Sequence, residues 1–338
     1  MRTLRVLTCI SMSLWLATSA QAHFPWINMN DEGSMDSFAD LPFEVTSFGA
    51  ARVGNKAYIY GGHTGSAHSY SNEEQSNQLF SLDLSGKAKE WELESTGQRL
   101  QGLAMVAHKS HVILIGGFTA KNAPGEDHQL ESQTDVRAFD TASKTWSELP
   151  PLPKGRSSHD AAIIGDTIYV VGGWTMAVDQ ETEWHDTAIA LDLSEKNPQW
   201  KELPSPPFQR RALATVAHEG KLYVIGGMNK EGGPTRAVAI FDPAKTSWLE
   251  GPELHGKSPM AGFGAAGWSV GGKLVASTYE GDVLNLADDG KSWTAMGRSE
   301  GSRFFHRLVP LKGSRLMMVG GANMESGKFL EVEVLEID

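Results

Sequence analysis

Three arginines occur at matching places in this sequence, and arginine is the side chain best suited to binding anions. Arg156, Arg210 and Arg303 each precede a short apolar run that leads to a Gly-Gly doublet, and Arg211 adjoins the second of them. A guanidinium group offers paired hydrogen bonds to carboxylate, sulfate or phosphate. If these arginines converge, we expect a small anion or an acidic carbohydrate as ligand. The alternative is that they bridge neighbouring loops without contacting any ligand.

Histidine and tryptophan add further candidates for ligand binding. His159 and His306 follow two of these arginines by three residues, at the start of two apolar runs. They are candidate ligand-binding residues, and the alternative is a hydrogen-bonding role inside the fold. Trp174 follows a doublet directly and, with Trp184 in the same loop, is placed to stack on a sugar ring.

A separate set of histidines predicts a metal site. His63 and His68 share one loop after the first doublet. If a leader is cleaved after Ala22, His23 becomes the amino terminus and offers an α-amine beside its imidazole. Imidazole binds copper, zinc or iron well, although the spacing of these residues matches no zinc motif. The metal, if any, is left open.

The elements that must position these residues are written as a repeat. Five stretches of β-forming residues end in Gly-Gly, and most are followed by a polar loop, an apolar-Asp step and a tryptophan. The doublets are Gly61-Gly62, Gly116-Gly117, Gly172-Gly173, Gly226-Gly227 and Gly320-Gly321, and the tryptophans are Trp91, Trp146, Trp200, Trp248 and Trp293. A period in the fifties with strand-like content is typical of propeller blades. A degenerate sixth copy includes Leu274–Tyr279.

This pattern resembles the kelch repeat over nearly the whole chain. The resemblance implies an all-β fold, a six-bladed kelch-type β-propeller whose inner strands surround a central channel. The loops that carry the arginines and histidines would then share one mouth of that channel. It identifies the fold and not the function.

The two chain ends are predicted to pair and close the ring. The last copy stops after its third strand, at Leu330–Asp338, and lacks an outer strand. Phe38-Ala-Asp-Leu-Pro42 has the spacing of Trp146-Ser-Glu-Leu-Pro150, with Phe38 at the tryptophan position. Closure would remove exposed strand edges.

Residues 1–22 read as a secretory signal peptide, because Arg2 and Arg5 precede an apolar stretch and Ala20-Gln21-Ala22 fits a cleavage site. The expected organisation is a signal peptide at 1–22, an amino-terminal arm at 23–36 and a propeller at 37–338. The product is expected to be periplasmic or secreted, without membrane insertion, since no apolar stretch is long enough to span a bilayer. A formal net charge of −11 argues against nucleic acid as a partner.

Several functions are compatible with these observations. The leading expectation is binding of a carbohydrate or small anion at the channel mouth. A kelch family resemblance also permits sugar-acid epimerases or mutarotases, such as exported bacterial sialic-acid epimerases, and metal-dependent enzymes. A third possibility is an interaction scaffold that receives an acidic peptide loop. Galactose oxidase-like radical chemistry is not expected, because it requires a cysteine cross-linked to tyrosine and Cys9 lies in the predicted signal peptide.

Overall fold

A computed structural model describes residues 38–86 and 88–337. In this part of the chain the regular elements are short β-strands and a single 3-10 turn at Pro259–Gly262. No helix among these residues is long and apolar enough to cross a membrane. The predicted signal peptide and most of the predicted amino-terminal arm lie outside the described residues.

The strands form six main antiparallel sheets, which we number as blades 1 to 6 in chain order. From the inner to the outer strand, blade 1 contains Gly49–Val53, Lys56–Tyr60, Gln78–Asp83 and Glu92–Thr96; blade 2 contains Ala104–His108, His111–Ile115, Val136–Asp140 and Thr145–Leu149; blade 3 contains Asp160–Ile164, Thr167–Val171, Ala188–Asp192 and Lys201–Glu202. Blade 4 contains Ala214–His218, Lys221–Ile225, Val238–Asp242 and Ser247–Gly251; blade 5 contains Ala266–Val270, Lys273–Ser277, Asp282–Leu286 and Trp293–Arg298; blade 6 contains Arg307–Pro310, Arg315–Val319 and Glu333–Glu336.

The inner strands follow one another around a central axis. Each contacts the inner strand of the next blade, and the inner strand of blade 6 contacts that of blade 1. Apolar side chains fill the spaces between adjacent blades, as in the cluster of Ile113, Ile115, Ile168 and Val170 between blades 2 and 3. The architecture is therefore a β-propeller, as the repeat predicted.

Five of the six blades, all but blade 5, place a Gly-Gly doublet where the second strand ends beside the neighbouring blade. Gly226 has φ +60°, and a Cβ there would lie 2.3 Å from the carbonyl oxygen of Gly262. Glycine is needed because an L-residue would combine backbone strain with a steric clash. Small residues at this point allow adjacent blades to pack closely.

The segment that begins at Phe38 packs against blade 6. The N–H of Leu41 donates to the carbonyl of Leu330 at 2.9 Å, as Leu152 donates to Thr134 at 2.8 Å in the equivalent place. Both leucines are buried. Leu41 is thus the counterpart of Leu152.

This equivalence corrects the alignment expected from the sequence. Phe38 corresponds to Leu149 and not to Trp146, a difference of three residues. The indole N–H of Trp91 accordingly donates to the carbonyl of Ala39 at 3.1 Å, just as Trp200 donates to Pro150 at 2.8 Å. A closing outer strand would precede Phe38, outside the described residues, so pairing of the two terminal strands stays a prediction.

Candidate functional site

A ring of six backbone positions narrows one end of the channel, and we call it the collar. Its residues share a left-handed backbone with φ between 52° and 63°: Ser47, Gly102, Ser158, Ala212, Gly264 and Phe305. Five hydrogen bonds of 2.7 to 3.2 Å run between successive members, each N–H donating to the carbonyl of the preceding blade's residue. The collar fixes the loops above it, and we call that end of the channel the mouth.

The residue before five of the six collar positions, all but Gly264, lies at the mouth and pairs with the residue that follows a Gly-Gly doublet. The pairs are Thr46 with His63, Gln101 with Phe118, Ser157 with Trp174, Arg211 with Met228, and Phe304 with Ala322. Because side chains alternate along extended backbone, the residue one step earlier is directed away from this position. Arg211 occupies this position and Arg210 lies one step earlier, so their side chains leave opposite sides of the backbone.

Arg211 has an aromatic environment and unused hydrogen-bonding capacity. Its guanidinium carbon lies 4.0 Å from the ring centroid of Trp174 and 5.6 Å from that of Trp184. Its Nη2 donates to the sulfur of Met228 at 3.1 Å, a weak acceptor, and its Nε has no partner. No carboxylate of the described chain forms an ion pair with it. Burial lowers the pKa of Arg211 from its usual value, because desolvation disfavours the charged guanidinium, and Tyr70 partly offsets this effect.

Tyr70 approaches this arginine from the long loop of blade 1. Burial raises the pKa of Tyr70, and the positive charge of Arg211 partly offsets this effect. The Tyr70 ring also lies 5.3 Å from His63 and 6.1 Å from Phe118. An amide N–H of Asn122 donates to the Tyr70 carbonyl at 2.7 Å and holds the loop on blade 2. Sequence reasoning missed Tyr70, because nothing in its loop indicates that it crosses the mouth.

The three arginines at matching places have a common structural environment. Each is at most 3% exposed and donates to the carbonyl of the first glycine of its own blade's doublet. The contacts are Arg156 to Gly172 at 3.0 Å, Arg210 to Gly226 at 2.9 Å and Arg303 to Gly320 at 3.4 Å.

Further contacts complete the surroundings of these guanidinium groups. Arg156 also donates to the Thr187 hydroxyl, Arg210 stacks on Phe208, and Arg303 stacks on Phe329. These contacts agree with the alternative given above, in which the arginines bridge neighbouring loops. Contact of these arginines with a ligand stays a prediction.

His159 and His306 occupy core positions just below the collar. His159 adjoins Gly116 and Gly173, as Leu103 adjoins the corresponding doublet glycines in the previous pair of blades. Neither ring nitrogen of His159 makes a hydrogen bond of good geometry, although the nearby Ile115 carbonyl favours the protonated ring slightly, whereas His306 bonds the Ser277 hydroxyl at 2.5 Å across the blade interface.

Burial lowers the pKa of both histidines, to about 3 for His306 and well below its usual value for His159, and nearby arginines add to the effect. Both side chains border a small axial cavity of about 60 Å³. They are neutral at physiological pH and lie below the mouth.

Two of the three predicted metal ligands, His63 and His68, lie within the described residues. His63 is buried, and its Nε2 lies 2.7 Å from the carbonyl of Ser69, while His68 is exposed with φ +63°. Across residues 38–86 and 88–337, no group of three or more His, Cys, Asp or Glu side chains could hold a metal ion. His23 lies outside the described residues, so a site that includes it stays a prediction.

The channel also contains an ion pair that the sequence did not single out. Arg307 Nη1 donates to Asp160 Oδ1 at 3.2 Å, joining blades 6 and 3 across the axis, and Arg307 Nε donates to the carbonyl of Phe48 in blade 1 at 3.0 Å. Arg307 directly follows His306 and Asp160 directly follows His159. This position in the repeat is the only feature of the sequence that could have pointed to the ion pair. They separate the mouth from the rest of the channel.

The blades, doublets and collar define a kelch-type β-propeller. The model of the KLHDC2/KLHL20/DRC7 Kelch-repeats domain matches residues 26–173, and the Kelch motif matches residues 155–207 and 209–255. Together these matches span well over half of the sequence, and the chain belongs to the kelch-repeat family.

Individual relatives match over parts of their length. Kelch-like protein 35 of Mus musculus is 26% identical over 219 residues, 65% of this chain and 32% of that protein. An N-acetylneuraminate epimerase of Haemophilus influenzae (strain PittEE) is 33% identical over 146 residues, 42% of this chain and 36% of the enzyme. The chain thus matches about a third of each relative. The solved structure of YjhT superposes with a TM-score of 0.71 and 16% identity, covering 90% of this chain and 98% of that one, which supports the fold.

Proposed function

We propose that this propeller binds a small carbohydrate that carries a carboxylate, with Arg211 as the residue that holds the anionic group. The observation that carries the proposal is the half-buried guanidinium of Arg211, which has stacking partners but no counter-charge in the described chain. A bound carboxylate would supply that charge and accept hydrogen bonds in place of the Met228 sulfur.

The aromatic residues around Arg211 suit the body of a sugar. The rings of Trp174 and Trp184 meet edge to face with their centroids 5.4 Å apart, and the Arg211 guanidinium lies over both rings. The phenol of Tyr70 also interacts electrostatically with Arg211. Aromatic faces pack well against the C–H surface of a pyranose ring. The indole N–H of Trp174 is buried and has no hydrogen-bond partner in the described chain.

Titration calorimetry with N-acetylneuraminate and galacturonate tests this proposal. A charge-assisted hydrogen bond contributes about 1.5 to 3 kcal/mol, so Arg211→Gln should weaken binding by about 10- to 150-fold. Arg298→Gln is the matched control, because Arg298 is half exposed and pairs with Asp282 in blade 5. Equal affinity in the parent and the Arg211 variant would remove the proposal.

Export to the periplasm or the exterior is part of the proposal and depends on the signal-like residues 1–22. Amino-terminal sequencing of protein secreted by a bacterial host checks it. A mature chain that begins at His23 is expected, and a chain that keeps Met1 in the cytoplasm would contradict it.

Mutarotation of a sugar acid is the second candidate, favoured by the 33% identity to an N-acetylneuraminate epimerase. Tyr70 is the candidate acid–base group, because its phenol interacts electrostatically with Arg211 and general acid–base catalysis requires such a group. Exchange NMR between the anomers of N-acetylneuraminate would show acceleration by the parent and loss with Tyr70→Phe. If the anomers interconvert at the uncatalysed rate with the parent protein, only binding remains.

A further inference from the structure

On the far side of the collar the channel opens into a second, larger space that the proposed function does not use. It has a volume of about 730 Å³, is enclosed by the inner strands and is lined by residues of blades 1 to 6. Small-molecule sites in proteins usually have volumes of this order and combine apolar walls with a few polar groups. We call it the lower channel.

The deep end of the lower channel is polar. Asp160 accepts hydrogen bonds from Arg307 at 3.2 Å and from the backbone N–H of Thr215 at 2.8 Å. The hydroxyl of Thr215 has no partner, although this residue is only 6% exposed and borders the cavity. An unsatisfied buried hydroxyl is unfavourable unless a ligand or water completes it.

The open end of the lower channel is cationic. Arg52 donates through Nε to the carbonyl of Gly54 and through Nη1 to the carbonyl of Pro310, both at 2.8 Å. No carboxylate in the described ranges forms an ion pair with it. Since Asp160 and Arg307 offset each other, Arg52 leaves the lining with an uncompensated positive charge.

Between these ends the walls are mostly small and apolar. They include Ala50, Met105, Ala162, Val216 and Trp268. Thr215 is the second residue of its inner strand and Arg52 is the fourth, so they differ by about 7 Å along the axis at roughly 3.3 Å per residue. A ligand that reaches both must have polar groups at its two ends and an apolar body between them.

We propose that the lower channel is a second binding site, for a small carboxylic acid with a hydroxyl group at its far end. The carboxylate lies at Arg52, the apolar body lies against the alanine walls and Trp268, and the hydroxyl bonds Thr215 Oγ1, which is buried in this structure and turns into the cavity by rotation about χ1 when the ligand binds. The site is separate from the mouth, because the Asp160–Arg307 pair and the collar lie between them.

The experiment compares para-hydroxyphenylacetate with phenylacetate, which differ only in the far hydroxyl. Calorimetry on the parent should show about fivefold tighter binding of the hydroxylated acid, the value of one hydrogen bond. Thr215→Val should abolish that preference while the thermal midpoint stays the same or rises, since Oγ1 has no protein partner. Arg52→Gln should weaken both acids.

The mouth variant separates this proposal from the first. Arg211→Gln should leave the binding of both acids unchanged. Absence of saturable binding, a hydroxyl preference that persists in Thr215→Val, or loss of binding in Arg211→Gln would each overturn the lower-channel site. None of these outcomes bears on binding of acidic sugars at the mouth.

Discussion

Replacing His159 by leucine should make the protein more stable. The site is buried, neither imidazole nitrogen makes a hydrogen bond of good geometry, and the equivalent positions of neighbouring blades hold Leu103 and Leu213. Leaving a buried polar group unsatisfied costs about 1 to 3 kcal/mol. We expect His159→Leu to raise the free energy of unfolding by about 1 to 2 kcal/mol at pH 8.

Acidification should widen this difference. The folded-state pKa of His159 lies well below 6.5 because burial disfavours the charged ring, so the unfolded chain binds a proton that the folded protein does not. The contribution of the neutral His159 ring to folding stability is fully present above its pKa in the unfolded chain, and it is lost as the pH falls below that pKa. At pH 5.5, one unit below 6.5, the parent should lose about 1.4 kcal/mol that the leucine variant keeps.

Urea unfolding at pH 8 and pH 5.5 measures both effects. The variant should remain acid-sensitive, because burial also lowers the pKa of His185 to about 4 and that of His306 to about 3. A variant less stable than the parent at both pH values, or a difference that does not grow at pH 5.5, would refute the assignment of His159 as an uncompensated core residue.

Two further substitutions, each compared with a control substitution, test the architecture. Gly226→Ala should destabilise the protein by about 3 kcal/mol or more in thermal unfolding, because backbone strain at φ +60° is combined with a steric clash. The control Gly220→Ala, at φ +73° in open space, should cost about 1 to 2 kcal/mol. Equal losses would argue against close packing of adjacent blades. Asp160→Asn should lower the free energy of unfolding in urea by about 2 to 3 kcal/mol, because it leaves Arg307 without its counter-charge. The control Glu253→Gln, at an exposed ion pair, should lower it by less than about 0.5 kcal/mol. Similar small effects at both carboxylates would remove the axial ion pair as a stabilising contact.

The repeat made the blades predictable from sequence because Gly-Gly doublets and phased tryptophans have the same structural use in each copy that contains them. The indoles of Trp200, Trp248 and Trp293 each donate to a proline carbonyl of the preceding blade's outer edge. A contact repeated with constant spacing leaves a periodic trace in the sequence. The propeller fold was predicted from this periodic spacing.

The site was less predictable because it depends on single-residue register and on long loops. Arg210 and Arg211 are adjacent and chemically identical, yet one is buried against carbonyl groups and the other faces the aromatic mouth. Tyr70 reaches Arg211 from three blades away along the chain. The pairing of Phe38 with Trp146 failed for a similar reason, since leucine burial and not aromatic identity sets the register there.

The most direct test of the account is a crystal structure of the protein soaked with N-acetylneuraminate. The account predicts electron density for the sugar at the mouth, with its carboxylate within hydrogen-bond distance of the Arg211 guanidinium and its ring against Trp174. A sugar whose carboxylate is bound elsewhere, with Arg211 still facing only Trp174, Trp184 and Met228, would contradict it.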